Sequence, residues 1–239
     1  MEYIYGPIKS RRLGLSLGIS LVTRKVCSFD CIYCQLGKTT DRTAERKEYL
    51  SIEKILEEIK LWIKDNPAQA NKLDYMTFSG YGEPTLNINF GQLITRIKDL
   101  LSVKVAVITN STFLNDPLIR QGLLNADLIV PSLDAAEQEI FEKIDAPAAG
   151  IKIEDIISGL IALRKEFPGK IWLEIMLVEG INDSIEQIKK LKQIADKINP
   201  DKIQLNSPIR KTKEQDISCL APEKLRKIKE IFGDKCEII

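Results

Sequence analysis

The stretch "KVCSFDCIYCQLGK", residues 25–38, places three cysteines, Cys27, Cys31 and Cys34, at spacings of four and three. The whole chain has five cysteines and no histidine. An odd number of thiols does not pair off into disulfides, and side chains at these spacings turn more naturally toward one common site. The stretch therefore predicts a single site to which all three thiols contribute.

Four kinds of site compete for these thiols. A structural zinc site usually needs four ligands in two close pairs, so it would have to recruit Cys219 or Cys236 from far along the chain. A redox dithiol accounts for Cys31 and Cys34 but leaves Cys27 without a role. Buried, unreactive cysteines need no particular spacing. A 4Fe–4S cluster takes cysteine thiolates, and three of them leave one iron open to another ligand.

Composition limits the setting of the site. Of the 239 residues, 44% are hydrophobic and 29% are charged, which is typical of a soluble globular protein. Lys and Arg (35) nearly balance Asp and Glu (34), so the net charge of +1 gives no overall attraction to nucleic acid or acidic membranes. There is no apolar run long enough to span a bilayer and no secretory signal at the start, which predicts a cytoplasmic protein without a membrane partner. Thiols stay reduced there, so clustered cysteines are more often metal ligands than disulfides.

The sequence pattern alternates between short β-branched runs and helical stretches. No repeat or flexible linker divides the chain, which predicts one domain over residues 1–239. The strand candidates are residues 17–22, 72–78, 104–109, 126–130, 170–178 and 201–206. Almost wholly apolar strands that alternate with helices favour an α/β fold with a parallel sheet covered by helices. Six units predict a partial (β/α)6 barrel, because a full eight-unit barrel usually needs about 250 residues.

Two of the helices have clear amphipathic patterns. The first follows Ser51 as its N-cap, with apolar residues from Ile52 to Ile63 on one face. The second starts after Asp183, which lies at capping-box spacing from Glu186. Its predicted apolar face consists of Ile185, Ile188, Leu191, Ala195 and Ile198.

Unusual residues collect where the predicted strands end, which is the edge that carries ligand sites in such folds. The stretch "TFSGYGEPTL", residues 77–86, leaves the second strand through Gly80, Gly82, Glu83 and Pro84. It can be a strand-ending turn. Its glycines also let the backbone approach a ligand closely, and a carboxylate there can bind an ammonium group.

Later strand ends carry weaker signals. The residues found there could bind a ligand, but each can equally be a cap or turn residue. They are Thr109 and Asn110 after the third strand, Ser132 and Asp134 after the fourth, Glu174 within the fifth, and Leu205, Asn206 and Ser207 at the sixth.

The cysteine spacing, with Tyr33 just before the last cysteine, resembles the signature of the radical S-adenosylmethionine (SAM) enzymes. Residues 77–86 resemble the glycine-rich motif of that superfamily, in which the amino group of the SAM methionine is bound. The resemblance implies that Cys27, Cys31 and Cys34 hold one 4Fe–4S cluster. The cofactor-binding residues that it implies are Tyr33, Gly80, Gly82, Glu83, Pro84, Asn110, Ser132, Asp134, Glu174, Leu205 and Asn206.

Within the superfamily, the sequence is most similar to the group that contains the tRNA wyosine-forming enzymes. It departs from that group in three respects. Those enzymes are longer, they hold a second cluster on cysteines upstream of the main motif, and they bind tRNA. Residues 1–26 contain no cysteine, and a net charge of +1 does not indicate an electrostatic attraction to RNA.

The resemblance implies an enzyme that cleaves SAM reductively to methionine and a 5′-deoxyadenosyl radical, which abstracts hydrogen from an unidentified substrate. It also implies a one-electron donor such as ferredoxin or flavodoxin. The substrate is a small molecule, an RNA base or the glycine of a partner enzyme that this protein would activate. The alternative of another class is an iron–sulfur electron-transfer or zinc-binding module that does not cleave SAM. A basic patch would favour RNA, and its candidates are Lys9, Arg11, Arg12, Arg42, Arg46 and Lys47.

Overall fold

The computed structural model describes residues 1–22, 24–210, 212–214 and 216–239. Its strands are β1 Ile4–Ser10, β2 Gly14–Ile19, β3 Val26–Cys27, β4 Asp41–Arg42, β5 Tyr75–Phe78, β6 Lys104–Thr109, β7 Leu128–Pro131, β8 Lys170–Met176, β9 Lys202–Asn206 and β10 Cys236–Ile238. Its helices are α1 Ile52–Asp65, α2 Pro67–Ala70, α3 Phe90–Leu100, α4 Pro117–Leu123, α5 Gln138–Asp145, α6 Ile153–Glu166, α7 Ile185–Ile198 and α8 Pro222–Phe232. A 3₁₀ turn spans Pro84–Leu86.

The main sheet has the strand order β1-β2-β5-β6-β7-β8-β9-β10. Strand β1 is antiparallel to β2, and the other neighbours in this sheet are parallel. The predicted parallel sheet of six strands, covered by helices, is confirmed in β2 and β5 to β9. The sequence did not predict β1, whose Gly6 and Pro7 interrupt the strand pattern, or the three-residue β10. Strands β3 and β4 form a separate parallel pair beside the sheet.

Alternate side chains of the central strands pack under the helices. Leu17, Phe78 and Val107 are fully buried in that layer. Helix α1 contributes apolar side chains from the predicted face, such as Ile55 and Ile59, which are also fully buried. Burying one such side chain stabilises the fold by about 1.5–3 kcal/mol, so this layer holds the helices on the sheet.

Helix α7 differs from its prediction at the first turn. Its N-cap is Ser184, whose hydroxyl accepts the Gln187 N–H at 3.2 Å, and the predicted cap Asp183 instead accepts the Gly180 N–H at 3.0 Å. Ile185 is 56% exposed, so it does not belong to the predicted apolar face. The remaining four predicted residues of that face are buried.

The other face of the sheet forms the inside of the partial barrel. The hairpin of β1 and β2 folds over part of it, because Leu13, in the turn between these strands, packs against Ala106, Leu128 and Val130. The guanidinium of Arg12 reaches Glu174 of β8, with 2.7 Å between Nη1 and Oε2. This hairpin therefore covers inner-face side chains and leaves the carboxyl ends of the strands for the loops that carry the unusual residues.

No helix in the described parts of the chain is both long enough and apolar enough to cross a membrane.

Candidate active site

Cys27 lies at the end of β3, where two neighbouring segments fix its backbone. The Thr43 N–H donates to the Cys27 carbonyl at 3.0 Å, and the short pairing of β3 with β4 continues this contact. The carbonyl of Val26 accepts the N–H of Glu83 at 3.2 Å. The first cysteine is thereby attached directly to the glycine-rich turn after β5.

The second half of the cysteine loop is fastened to the end of α5. The N–H groups of Asp30 and Ile32 donate to the carbonyls of Asp145 and Ile144, both at 3.0 Å. The Cys34 N–H then donates to the carbonyl of Cys31 at 3.1 Å, which turns the backbone between these two thiols.

A segment after β9, which we call the strap and which comprises residues 207–210 and 212–214, crosses the same loop. The Lys213 ammonium lies 2.9 Å from both the Asp30 carboxylate and the Asp30 carbonyl, and both side chains are largely buried. The Glu214 N–H donates to the Ile32 carbonyl at 3.1 Å. The strap therefore ties residues near the chain end to the cysteine loop.

The three thiols lie on one half-buried loop. Burial raises the pKa of Cys27 to about 12, with further contributions from the charges of Glu83 and Cys34. Burial also raises the pKa of Cys31 well above its usual value, and Asp145 and then Cys27 add to this effect. The charge of Cys34 adds to the shift of Cys27 and that of Cys27 to the shift of Cys31, so the three thiols lie close enough for a shared cationic group to stabilise their thiolates.

The donor set fits an iron–sulfur cluster better than a single metal ion. Among the described residues, no three Cys, His, Asp or Glu side chains converge as ligands of one ion. A 4Fe–4S cluster needs no such convergence, because its thiolates bind different irons at separate corners. Three thiols on one loop, without histidine, match that ligand chemistry.

Tyr33 connects the cysteine loop with two buried carboxyl groups. Its hydroxyl donates to Asp134 and lies 3.2 Å from Asp145 Oδ1, and Asp134 Oδ1 also accepts the Met176 N–H at 2.7 Å. The Cys31 thiol lies 3.3 Å from the same Oδ1 of Asp145. Burial raises the pKa of Asp134 well above its usual value and that of Asp145 to about 7.

The glycine-rich turn fits tightly against the first cysteine. A Cβ on Gly82 would lie 1.7 Å from the carbonyl oxygen of Val26, so this position excludes any side chain. Gly80 has a φ of +109°, and its backbone lies against Ser20. Pro84 is buried at the start of the 3₁₀ turn. The turn therefore has a packing reason for both glycines, in addition to the predicted contact with a cofactor.

The carboxylate of Glu83 is 2% exposed and is held by groups of the chain itself. Its Oε1 accepts the Thr85 N–H at 3.0 Å and the hydroxyls of Thr85 and Thr109 at 2.5 and 2.7 Å. Its Oε2 accepts the Asn110 N–H at 2.7 Å. Burial raises the pKa of this carboxyl, and the hydrogen bonds oppose that shift. Oε2 accepts this one N–H, so it keeps acceptor capacity for a further donor.

Asn110 joins the turn to the thiols. Its backbone N–H holds Glu83, and its Nδ2 lies 3.5 Å from Cys27 Sγ and 2.8 Å from Ser28 Oγ. The structure thus brings two separately predicted groups, the cysteines and the glycine-rich turn, together at the ends of β5 and β6.

The later strand-end residues divide between the two faces of the sheet. Ser132 forms an isolated bridge with Glu174, and Glu174 Oε1 lies 3.3 Å from Asn206 Nδ2, which places these three on the inner side. Leu205 is fully buried among the side chains under the helices. Strand residues alternate in direction, so its side chain points away from the inner face and only its backbone can contact a ligand there.

Sequence reasoning missed Asp145 and named Arg12 only as a candidate of a basic patch. Asp145 ends α5 without any motif around it, and Arg12 comes from a hairpin that was not predicted. The only indication of Arg12 in the sequence was the group of positive charges formed by Lys9, Arg11 and Arg12.

Comparison with known proteins gives a family match over most of the chain. The family model described as the Radical SAM superfamily matches residues 21–191. A UPF0026 protein of Methanocaldococcus jannaschii is 36% identical over 234 residues, which cover 98% of this chain and 72% of that protein. A protein named GTPase Obg of Brachyspira hyodysenteriae is 39% identical over 235 residues, which cover 98% of this chain. The chain spans 34% of the length of that second relative.

The fold also matches solved structures. The structure of TYW1 with a lysine-pyruvate adduct bound aligns with a TM-score of 0.65 and 18% sequence identity. The alignment covers 91% of this chain and 72% of that one. At 18% identity, this match shows similarity of the fold alone.

Proposed function

The chain belongs to the radical SAM superfamily, and from that premise we propose that it holds one 4Fe–4S cluster on Cys27, Cys31 and Cys34 and cleaves SAM reductively. Members of this superfamily use such a cluster together with SAM. When bound, the reduced cluster supplies the electron that splits SAM into methionine and a 5′-deoxyadenosyl radical, which takes hydrogen from the substrate. The electron donor is a small redox protein such as ferredoxin or flavodoxin.

The observation that carries this proposal is the contact made by Asn110. Its side chain lies 3.5 Å from Cys27 Sγ, and its backbone holds the Glu83 carboxylate at 2.7 Å. A cofactor that binds both an iron at the thiols and the turn after β5 needs these two groups side by side. The electron-transfer alternative gives the turn only its packing role.

The chain's own residues have defined tasks in this proposal. Glu83 Oε2 accepts a hydrogen bond from the SAM ammonium, and Gly80 and Gly82 let the backbone come close to it. Tyr33 holds the cysteine loop against Asp134 at the end of the fourth parallel strand. The hairpin of β1 and β2 limits access of water to the inner face, where a radical would otherwise react unproductively.

The test is anaerobic reconstitution with iron and sulfide, followed by reduction with dithionite in the presence of SAM. We expect about four irons per chain and slow formation of 5′-deoxyadenosine without added substrate. The same protein before reconstitution serves as the control. No SAM consumption by a fully loaded, reduced protein would contradict the proposal and favour the electron-transfer module. Formation of methylthioadenosine instead would mean that another sulfonium bond is cleaved.

Replacing Glu83 by Gln should weaken SAM binding while the iron content stays near that of the wild type. The amide lacks the negative charge that attracts the ammonium. In addition, its NH2 group must face donors whose hydrogen bonds the carboxylate of Glu83 accepts. A charge-assisted hydrogen bond contributes about 1.5–3 kcal/mol, so the affinity should fall roughly ten- to hundredfold. Equilibrium dialysis with labelled SAM measures the affinity, and iron analysis measures the cluster.

Glu57→Gln is the matched control, because Glu57 is exposed on α1. It should bind SAM like the wild type. If Glu83→Gln also binds SAM normally, Glu83 serves only to join the turn to β6.

A further inference from the structure

The inner face of the partial barrel contains a cavity of about 230 Å³ beside the β1–β2 hairpin. Its polar side is formed by hydroxyl groups of β1, β2 and β5 and of Ser79, which follows β5. Tyr5 and Ser79 share a hydrogen bond of 2.5 Å, and Ser16 and Thr77 share one of 2.6 Å. The ring of Tyr5 lies directly over Gly18, where a Cβ would be 2.1 Å from it. Ser79, which also lines the cavity, directly precedes Gly80 of the glycine-rich turn.

The charge of this cavity is strongly one-sided. Its described lining residues include four cationic ones, Lys9, Arg11, Arg12 and Arg210, and no Asp or Glu. Lys9 pairs with Leu15 in the hairpin, so its side chain lies on the face opposite to Ser16 and only its backbone faces the cavity. Arg12 is paired with Glu174. Within the described parts of the chain, the other three form no ion pair, and Arg210 Nη1 lies 3.4 Å from the Gln35 amide oxygen. A local charge of this sign contrasts with the overall net charge of +1.

The hairpin gives this cluster a fixed position. Leu13 is 4% exposed and packs against the inner faces of β6 and β7, so the residues just before it are anchored. The ion pair between Arg12 and Glu174 has both side chains largely covered and fixes the guanidinium across the cavity. Arg11 and Lys9 flank this anchored point. Arg210 approaches from the strap on the other side.

We propose that this cavity binds the phosphate group of a small-molecule substrate. The assignment rests on the proposed function, since it names the chemical class of the compound that the same site would process. One guanidinium can donate two parallel hydrogen bonds to phosphate oxygens, and a dianion matches the two arginines, Arg11 and Arg210, that remain after Arg12 is paired. The hydroxyls of Tyr5 and Ser79 provide further donors beside the anion.

The size of the cavity favours a small molecule over a nucleic acid. Its volume corresponds to roughly eight water molecules at about 30 Å³ each. That space accommodates a phosphate with a few carbon atoms. A nucleotide unit of an RNA chain is considerably larger than this space.

The test is isothermal titration of the reconstituted full chain with inorganic phosphate, ribose 5-phosphate and succinate at constant ionic strength. We expect both phosphates to bind and ribose 5-phosphate to bind more tightly. The double variant Arg11→Gln/Arg210→Gln should lose at least about tenfold in affinity, because two charge-assisted contacts are removed. Arg226→Gln, an exposed position on α8, is the matched control and should bind like the wild type.

Each remaining outcome would overturn the proposal. Equal affinity of the double variant and the wild type would show that Arg11 and Arg210 do not bind the phosphate. Succinate binding as tightly as phosphate would show a general anion site, and displacement of phosphate by SAM would assign the cavity to the cofactor. Tight binding of a 12-residue single-stranded RNA without binding of the small phosphates would make RNA the partner. These titrations do not require SAM cleavage, so their failure is distinguishable from failure of the proposed function.

Discussion

Replacing Cys31 by Ala is expected to abolish SAM cleavage and to reduce the iron content from about four per chain to nearly none. Cys31 is the middle thiol of the three, and the loop on both sides of it is fastened to α5. Two thiolates hold a four-iron cluster poorly. The loss should be at least a thousandfold in the rate of 5′-deoxyadenosine formation, roughly the whole measurable range of the assay.

Iron and sulfide analysis, the visible absorption of the cluster and the cleavage assay together measure this effect. Cys219→Ser is the control, because Cys219 is exposed and lies outside the cysteine loop. Circular dichroism shows whether the variant keeps its fold before iron is added. If Cys31→Ala retains its iron and its activity, the three-thiol cluster is wrong.

Replacing Gly82 by Ala is expected to have the second largest effect, on both stability and SAM binding. The new methyl group would lie 1.7 Å from the Val26 carbonyl oxygen, and one of the two backbones must move. Val26 precedes Cys27, so the shift displaces this proposed cluster ligand together with the turn. We expect a loss of about 3 kcal/mol in the free energy of unfolding, at the upper end of what overpacking usually costs. SAM affinity should fall at least about tenfold, which corresponds to 1.4 kcal/mol.

Urea denaturation of the chain without iron and equilibrium dialysis with the reconstituted protein measure the two effects. Gly150→Ala is the control, because a Cβ there meets no atom within 4 Å. Its φ of +86° still costs about 1–2 kcal/mol. If Gly82→Ala binds SAM no more weakly than Gly150→Ala does, the close packing of the turn on Val26 does not position the cofactor.

The parallel sheet was predictable because its central strands are buried on both faces. That burial leaves uninterrupted apolar runs such as residues 104–109, which periodicity detects. The cysteine loop was visible for a similar reason, since its chemistry lies in one short stretch. Strand β1 lacks such a run because one side of it remains exposed. The sequence pattern therefore did not predict the hairpin that carries Arg12.

Contacts between distant residues account for what the sequence did not predict at the site. Asp145 approaches Cys31 and Tyr33 only after α5 packs against the cysteine loop. The four donors around the Glu83 carboxylate come from Thr85, Thr109 and Asn110, and they are set by the register between neighbouring strand ends. The direction of Leu205 depends on which face of β9 turns inward. The sequence already indicated this direction, because the apolar Ile203 and Leu205 alternate with polar residues along β9.

The strap has a consequence for the order of events during synthesis of the chain. Lys213 and Glu214 bond to the cysteine loop, yet they leave the ribosome long after Cys34 does. At about 5–20 residues per second, the intervening segment takes roughly 10 to 40 s to make. During that interval the nascent loop lacks its final cover. Until the strap is made, the cysteine loop therefore lacks the contacts of Lys213 with Asp30 and of Glu214 with Ile32.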